Sequence, residues 1–244
     1  MRVIRMSRWF SSESMPHALL LGAFVVASPS AGAVLIENGT TITINAGHPK
    51  TDYTLRTGAT LNIDGGTADQ VSSNASNLNI NKGDTAEIVG LNGSVLTLSG
   101  ATVTGTVGSG VGIELHQSEA TISAGSTVIS DGVGLKAMQD LGASTGSTFN
   151  VSDSTIIGTT AGAQASGHST LNFTNSHVEA TGEGSAGLIL FSADVTAKNS
   201  KIIGEANGIR VFRNGSTNPK EGNIVLDGTS VQGVTGSAIL VDGA

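Results

Sequence analysis

Acidic side chains are the residues of this sequence that could cleave a glycan, because glycoside hydrolysis generally uses two carboxylates that flank the scissile bond. The 244-residue chain contains no Asp-Asp pair. Asp153, Asp194 and Asp227 stand apart from one another, and single Asp residues commonly occupy or cap turns. The carboxylates therefore favour a structural role, with a polysaccharide lyase or glycoside hydrolase kept as an alternative.

A nucleophilic serine is the second kind of site that the sequence could contain. Gly228-Thr229-Ser230 is similar to a G-T-S nucleophile motif. A catalytic serine also needs a histidine base that a third group orients, and no histidine of the sequence has an evident partner of this kind. We therefore expect no catalytic residue and interpret the protein as a non-enzyme.

Metal binding is the third possibility. The histidines after the N-terminal segment are His48, His116, His168 and His177, and they form neither an H-x-x-x-H nor an H-E-x-x-H set. The segment Asp64 to Asp69 is similar to part of a calcium-binding nonapeptide but does not recur. We expect no metal and no cofactor.

The strongest pattern in the chain is a repeat. Six segments each carry an alternating apolar pair, which places both members on one face of a strand. The pairs are Leu96/Leu98, Ile122/Ala124, Phe149/Val151, Leu171/Phe173, Val195/Ala197 and Ile224/Leu226.

Fixed offsets follow each pair. Five positions after its first member comes a small residue: Ala101, Thr127, Ser154, Ser176, Ser200 and Thr229. Seven positions after it comes an aliphatic residue: Val103, Ile129, Ile156, Val178, Ile202 and Val231. A third apolar pair closes each segment: Ile113/Leu115, Leu135/Ala137, Ala163/Ala165, Leu188/Leu190, Ile209/Val211 and Ile239/Val241.

The constant offsets predict columns of equivalent residues in a right-handed parallel β-helix, with three short strands and three corners in each coil. Successive coils would pair in parallel about 4.8 Å apart, and stacking would bury apolar columns that no single coil can bury. Glycine at the corners is expected to supply positive φ, and Ser or Thr in the +5 column to satisfy corner backbone groups. The columns of the six repeats contain no stack of carboxylates shared by adjacent coils.

The N-terminus has the three parts of a secretory signal peptide. Arg2, Arg5 and Arg8 precede a ten-residue apolar run, Ala18 to Ala27, and then Ala31-Gly32-Ala33. This order of basic, apolar and small residues predicts export and cleavage after Ala33, with Ala31 and Ala33 as the signal peptidase site. The run is too short to span a bilayer, which needs about 20 residues.

The charge and cysteine content limit the classes of partner and the mode of export that we expect. Removing residues 1–33 changes the net charge from −7 to −9, and no Lys/Arg cluster offsets it, so we expect no nucleic-acid binding. The chain has no Cys, although exported proteins can form disulfides. This absence suits a protein that crosses a second membrane unfolded.

The repeats TLNFTNSHVEATGEGSAGLIL and VTAKNSKIIGEANGIRV, together with GATLNIDGG and GSVLTLSGATVTG, resemble the passenger domain of pertactin-like bacterial autotransporters over roughly residues 55–244. The resemblance implies Sec-dependent export, a place at the cell surface or outer membrane, and a role as adhesin or scaffold. Host surface proteins or glycans and the export machinery would be the partners.

This chain departs from that family in two ways. It contains no C-terminal β-barrel, so outer-membrane anchoring is expected only through a missing part, and it has no RGD tripeptide. We expect residues 1–33 to be the signal peptide, 34–92 an N-terminal cap with degenerate coils, and 93–244 regular coils of a truncated product or fragment. A secreted structural fibre is a further alternative.

The signal-peptide pattern generates the first prediction. Intact-mass analysis of exported protein should find a chain that starts at Val34. Periplasmic or surface material that retains residues 1–33 would contradict the assignment.

Overall fold

The computed structural model describes residues 32–105, 110–212 and 222–242, and these ranges consist of strands and turns without a helix. Accordingly, no described helix is long and apolar enough to cross a membrane. Residues 1–31 of the predicted signal peptide, Ala31 among them, lie outside the described residues. The same holds for most of the polar segment 214–222.

The described strands follow one another in nine successive coils and one further strand. The first three coils contain β1 (Val34–Ile36) and β2 (Thr41–Asn45); β3 (Tyr53–Leu55) and β4 (Thr60–Asp64); and β5 (Gln70–Asn74), β6 (Asn77–Asn81) and β7 (Asp84–Thr85). Coils four to six contain β8 (Glu87–Leu91), β9 (Val95–Ser99) and β10 (Thr102–Gly105); β11 (Val111–His116), β12 (Glu119–Ser123) and β13 (Thr127–Ser130); and β14 (Val133–Met138), β15 (Thr148–Ser152) and β16 (Thr155–Gly158). Coils seven to nine contain β17 (Ala161–Ser166), β18 (Thr170–Thr174) and β19 (His177–Ala180); β20 (Ala186–Phe191), β21 (Asp194–Lys198) and β22 (Lys201–Gly204); and β23 (Asn207–Phe212), β24 (Ile224–Asp227) and β25 (Ser230–Gly233), before β26 (Ile239–Asp242).

Equivalent strands of successive coils form three parallel sheets. Sheet A has ten described strands in the order β1-β3-β5-β8-β11-β14-β17-β20-β23-β26, sheet B has nine in the order β2-β4-β6-β9-β12-β15-β18-β21-β24, and sheet C has seven in the order β7-β10-β13-β16-β19-β22-β25. The chain passes from A to B to C in each coil. The predicted parallel β-helix with three strands per coil is confirmed.

The inward columns form one continuous apolar core, as the repeat predicted. Leu96, Phe149, Leu171 and Val195 in sheet B are at most 1% exposed. In sheet C, the fully buried Ile156 pairs with Val128 in the preceding coil and Val178 in the following one. Each such side chain contributes roughly 1.5–3 kcal/mol when buried, so each added coil increases the stabilisation that the core provides.

The predicted register is wrong in one coil. The inward pair of β12 is Ala120/Ile122, because these residues pair with Leu96/Leu98 in β9. Val128 is fully buried, whereas the predicted core residue Ile129 is 41% exposed. A period of two means that a one-residue slip reverses which face a side chain occupies.

An additional corner residue explains the slip. In most coils one left-handed residue separates sheet B from sheet C, but here Ala124 and Gly125 both have positive φ, 57° and 75°. Ser126 then occupies the corner position, and its hydroxyl accepts the Ala101 N–H at 3.1 Å. The constant +5 and +7 offsets therefore become +6 and +8 when they are counted from Ala120.

Glycines in the second position of the sheet A strands have a different role from the one expected of corner glycines. None of the glycines before the third pair adopts a left-handed φ; these are Gly112, Gly134, Gly162, Gly187 and Gly208. A Cβ at Gly134 would lie 2.5 Å from the carbonyl oxygen of Gly162 in the next coil. These positions need glycine because the backbones of adjacent coils approach too closely for a side chain.

The N-terminal strands belong to the same three sheets. Leu61 in β4 pairs with Leu78 in β6, which pairs with Leu96, so residues 34–91 continue the core. In the described residues sheet C begins only at β7, with a bridge from Thr67 to Asp84 before it. At the other end, Val225 and Val241 are 54% and 65% exposed.

The corrected register gives a stability test with a matched pair of adjacent residues. We expect Val128→Asp to lower the free energy of unfolding by several kcal/mol, because it buries a charge without a partner. Ile129→Asp should cost less than about 1 kcal/mol, as for most exposed positions. Urea denaturation of both variants is the measurement, and equal midpoints would refute the register.

Candidate functional site

Two columns of buried hydroxyl groups, which we call ladders, stabilise two corners of the solenoid by hydrogen bonds from coil to coil. At the B-to-C corner, the Ser154 and Ser176 N–H groups donate to the hydroxyls of Ser176 and Ser200 in the next coil, at 3.4 and 3.1 Å. Each of these hydroxyls donates to the carbonyl two residues before it, as at Ser200 to Lys198 (2.8 Å). The predicted role of the +5 column is confirmed here, and Thr229 ends the ladder by accepting the Ser200 N–H at 3.2 Å.

A second ladder at the A-to-B corner was missed by the sequence reasoning. It runs through Ser76, Ser94, Ser118, Ser147 and Ser169, each at most 5% exposed. The hydroxyls of Ser118 and Ser147 also donate to the carbonyls of His116 and Met138. A serine two positions before the first apolar pair was the available signal, and the misassigned pair at Ile122/Ala124 obscured it.

A groove lined by polar residues follows the first ladder along coils six to eight. Its volume is about 520 Å³, and we call it the polar groove; it is lined by Asp153, Ser154, Thr155, Asn175, Ser176, His177, Asn199, Ser200 and Lys201. Asp153, Asn175 and Asn199 hold the left-handed corner position, with φ of 48–49°. Asn175 Nδ2 donates to Asp153 Oδ1 at 3.1 Å.

The outward side of sheet A carries the second candidate surface, which we call the outer stripe. It comprises two adjacent columns across coils five to nine: Glu114, Lys136, Gln164, Ile189 and Arg210, and His116, Met138, Ser166, Phe191 and Phe212. All ten side chains are half-buried. The stripe therefore combines charged, aromatic and sulfur-containing groups on one face.

An ionic cluster forms the N-terminal end of the outer stripe. His116 Nε2 lies 3.0 Å from Glu114 Oε1, and His116 Nδ1 lies 2.8 Å from Asp140 Oδ1. Lys136 Nζ donates to the same Glu114 oxygen at 2.9 Å. Because both ring nitrogens face carboxylate oxygens, the geometry suits the imidazolium form, which carries two N–H donors.

The cluster shifts two pKa values. The hydrogen bond to Glu114 raises the pKa of His116 above 6.5, against the opposing effect of burial and with further support from Asp140. Burial raises the pKa of Glu114, but the hydrogen bonds and charges of His116 and Lys136 outweigh it, so this pKa lies below 4.5. Both shifts favour the charged pair near neutral pH.

Aromatic groups form the other end of the outer stripe. The rings of Phe191 and Phe212 stack with centroids 4.8 Å apart and planes 8° from parallel. The Arg210 guanidinium lies 4.5 Å from the centroid of the Phe212 ring, and its Nε pairs with Asp242 at 2.5 Å. The ring separation is close to the coil spacing, so the repeat itself brings the two rings together.

The prediction that no histidine has a group to orient its ring is wrong for His116. Glu114 in coil five and Asp140 after β14 converge on this ring. Aligning the third apolar pairs would have placed Glu114 beside Lys136. His177 also has a partner, Glu179, at 2.7 Å.

The remaining candidates lie apart from the ionic cluster. Asp194 Oδ1 accepts the Asn223 N–H at 2.9 Å, and His48 contacts its own turn at Asn45. The ring of His168 is exposed, and Ala33 precedes β1. In the described ranges no group of His, Cys, Asp or Glu is arranged to hold a metal ion.

A G-x-S-x-G spacing that the sequence reasoning overlooked lies at Gly142–Gly146, with Ser144 as its serine. That motif activates a serine when it forms a strand-to-helix turn. Here Ser144 lies in an exposed loop between β14 and β15, and His116 Nε2 is bonded to Glu114 instead. The spacing therefore lacks the structural context of a nucleophile.

The chain matches no family model, no curated protein and no solved structure.

The ionic cluster generates a pH-dependent stability prediction. We expect His116→Gln to lower the free energy of unfolding by about 1–2 kcal/mol near pH 5.5, where both partners are charged. A pKa raised on folding stabilises fully below the unfolded value of 6.5, and this contribution is lost as the pH rises through the folded value. The lowered Glu114 pKa contributes above 4.5 and is lost as the pH falls through its folded value.

The difference between wild type and His116→Gln should therefore be largest between pH 4.5 and 6.5 and should decrease as the pH rises through the raised pKa of His116. Denaturation midpoints across this range are the measurement. His168→Gln, at an exposed ring, is the control, and the same pH dependence in both variants would contradict the ionic cluster.

Proposed function

We propose that this chain is an exported, non-catalytic β-helical scaffold that acts at the cell surface as an adhesin. The observation that carries the proposal is the composition of the outer stripe. Phe149 and Phe173 are in the core, whereas Phe191 and Phe212 lie on the outward side of sheet A together with Met138 and Arg210. Aromatic residues, Met and Arg are the residues enriched at protein interfaces.

The supporting arguments come from the whole chain. The ordered basic, apolar and small residues before Val34 support export. The resemblance to pertactin-like passenger domains supports a place at the surface of a bacterial cell. Parallel coils present the same outward positions repeatedly, so a long rigid face is available to a partner.

The charged groups of the ionic cluster are hydrogen-bonded to one another, which favours a scaffold over an enzyme. A general acid or base must be able to exchange a proton with a substrate. The His116 nitrogens are both bonded to carboxylates, and Glu114 accepts from two cations. The cluster is therefore better suited to stiffening the outer stripe than to transferring protons.

The alternative of a polysaccharide-active enzyme has one observation in its favour. Two carboxylates, Glu114 and Asp140, converge on the outward side of sheet A beside Lys136. Paired carboxylates on an accessible face are what glycoside hydrolysis requires. An assay for reducing ends or unsaturated products released from polysaccharides decides between the two proposals.

The adhesin proposal predicts that the full exported chain binds host epithelial cells or immobilised extracellular-matrix proteins. Phe191→Ser combined with Phe212→Ser should weaken this binding about tenfold or more, because interface aromatics are frequent hot spots. Ile129→Ser is the matched control, since it removes an exposed apolar side chain from sheet C. Thermal melting of both variants checks that they fold.

Two outcomes would contradict the proposal. One is the absence of binding to every surface tested, or an equal loss in the Ile129→Ser control. The other is polysaccharide cleavage that Glu114→Gln abolishes, which would establish the enzyme instead.

A further inference from the structure

We propose that the polar groove is a separate binding site for a short oligosaccharide. The site lies at the B-to-C corner of coils six to eight, whereas the outer stripe belongs to sheet A. The proposal therefore goes beyond the adhesive role of the outer stripe and does not depend on it.

The shape of the groove follows from the repeat. Its lining residues occupy three equivalent positions in three successive coils, so the groove runs along the solenoid axis. The coil spacing of about 4.8 Å is close to the length of one pyranose unit in an extended glycan. The groove has a volume of about 520 Å³ and is broadly open to solvent.

One wall of the groove is formed by the left-handed corner residues Asp153, Asn175 and Asn199. Asn175 donates one of its two amide N–H groups to Asp153, which leaves its second donor and its oxygen for a ligand. Asn199 has φ of 48°, and a left-handed backbone fixes the direction in which each side chain leaves the corner. The wall thus offers amide and carboxylate groups at regular intervals.

The opposite wall is formed by Thr155, His177 and Lys201. His177 Nε2 contacts Glu179 at 2.7 Å, so the other ring nitrogen remains available. In the part of the chain that the structure describes, the Thr155 hydroxyl and the Lys201 ammonium have no side-chain hydrogen bond. This wall therefore adds a hydroxyl, a ring nitrogen and an ammonium group to the amides and carboxylate of the first wall.

The floor is rigid because its polar groups are already used. The hydroxyls of Ser154, Ser176 and Ser200 donate to carbonyls at 2.7–2.8 Å, and those of Ser176 and Ser200 also accept corner N–H groups. A floor fixed in this way does not have to reorganise when a ligand binds. Such preorganisation lowers the entropic cost of association.

The chemistry of the walls favours a polyhydroxylated ligand. Each sugar hydroxyl can donate one hydrogen bond and accept others, which suits alternating amide, carboxylate and ammonium groups. Asp153 in coil six and Lys201 in coil eight carry opposite charges, and the chain is acidic overall, so a polyanion such as nucleic acid is disfavoured. The lining has no large apolar side chain that would hold a peptide side chain.

The test begins with the full chain on a printed array of neutral, amino-sugar and uronate oligosaccharides, followed by calorimetry with the best binder. Asn175→Gly and Asn199→Gly each remove a wall side chain without backbone strain, because Gly100 and Gly228 already occupy this position in other coils. We expect each variant to weaken binding about tenfold, the effect of one lost hydrogen bond. Lys201→Ala should weaken it by a similar factor.

Matched controls lie close by. Lys82→Gly changes the same left-handed position, φ 52°, in coil three, and Lys198→Ala removes an exposed lysine beside the groove. Both should retain wild-type affinity. An equal loss in the controls, or no saturable binding of any oligosaccharide by wild type, overturns the proposal.

The outcome also separates this proposal from the adhesive role. Phe191→Ser with Phe212→Ser should retain oligosaccharide affinity. Loss of cell binding in that variant with intact sugar binding supports two independent surfaces. Loss of sugar binding in the same variant would overturn the assignment of the groove.

Discussion

Hydrogen bonds between corner serines of successive coils are the constraint on which the rest of the structure depends. The chain turns from one sheet to the next at each corner, where backbone N–H groups would otherwise be buried without a hydrogen-bond partner. Burying an unpaired N–H group lowers the stability of the fold. Ser94 and Ser126, both fully buried, accept the N–H groups of Ser76 and Ala101 in the preceding coils. Among the described residues no buried side-chain N or O atom lacks a partner, so the corners can be sharp and dry.

Sharp corners bring adjacent backbones together, and this proximity determines where glycine is required. At Gly134 and Gly162 the limit is contact with the next coil, whereas at the B-to-C corner the limit is a left-handed φ that Asn175 and Asn199 also tolerate. Asn is one of the few side chains that adopt this conformation readily. Polar groups on one wall of the groove are thus a consequence of how the corner is made.

The outward surfaces follow from the same stacking. Equivalent positions meet every coil, so Glu114 meets Lys136 and Phe191 meets Phe212 without any long-range folding motif. Charged and aromatic groups are consequently concentrated on the side of sheet A, and the amides and hydroxyls at the B-to-C corner. The solenoid therefore carries two chemically different surfaces.

The sequence alone determined the β-helix, its three strands per coil, most of the core and the role of the +5 serines, because inward apolar pairs alternate and recur at nearly constant offsets. Only the tertiary structure decided the register at Val128, since an additional residue at Ala124-Gly125 changes the path of the corner without changing the local pattern. It alone decided that Asp140 reaches His116, because the loop after β14 has its own length and conformation. Periodicity specifies which residues stack in columns. The backbone conformation of each corner determines where the side chains that follow the corner lie.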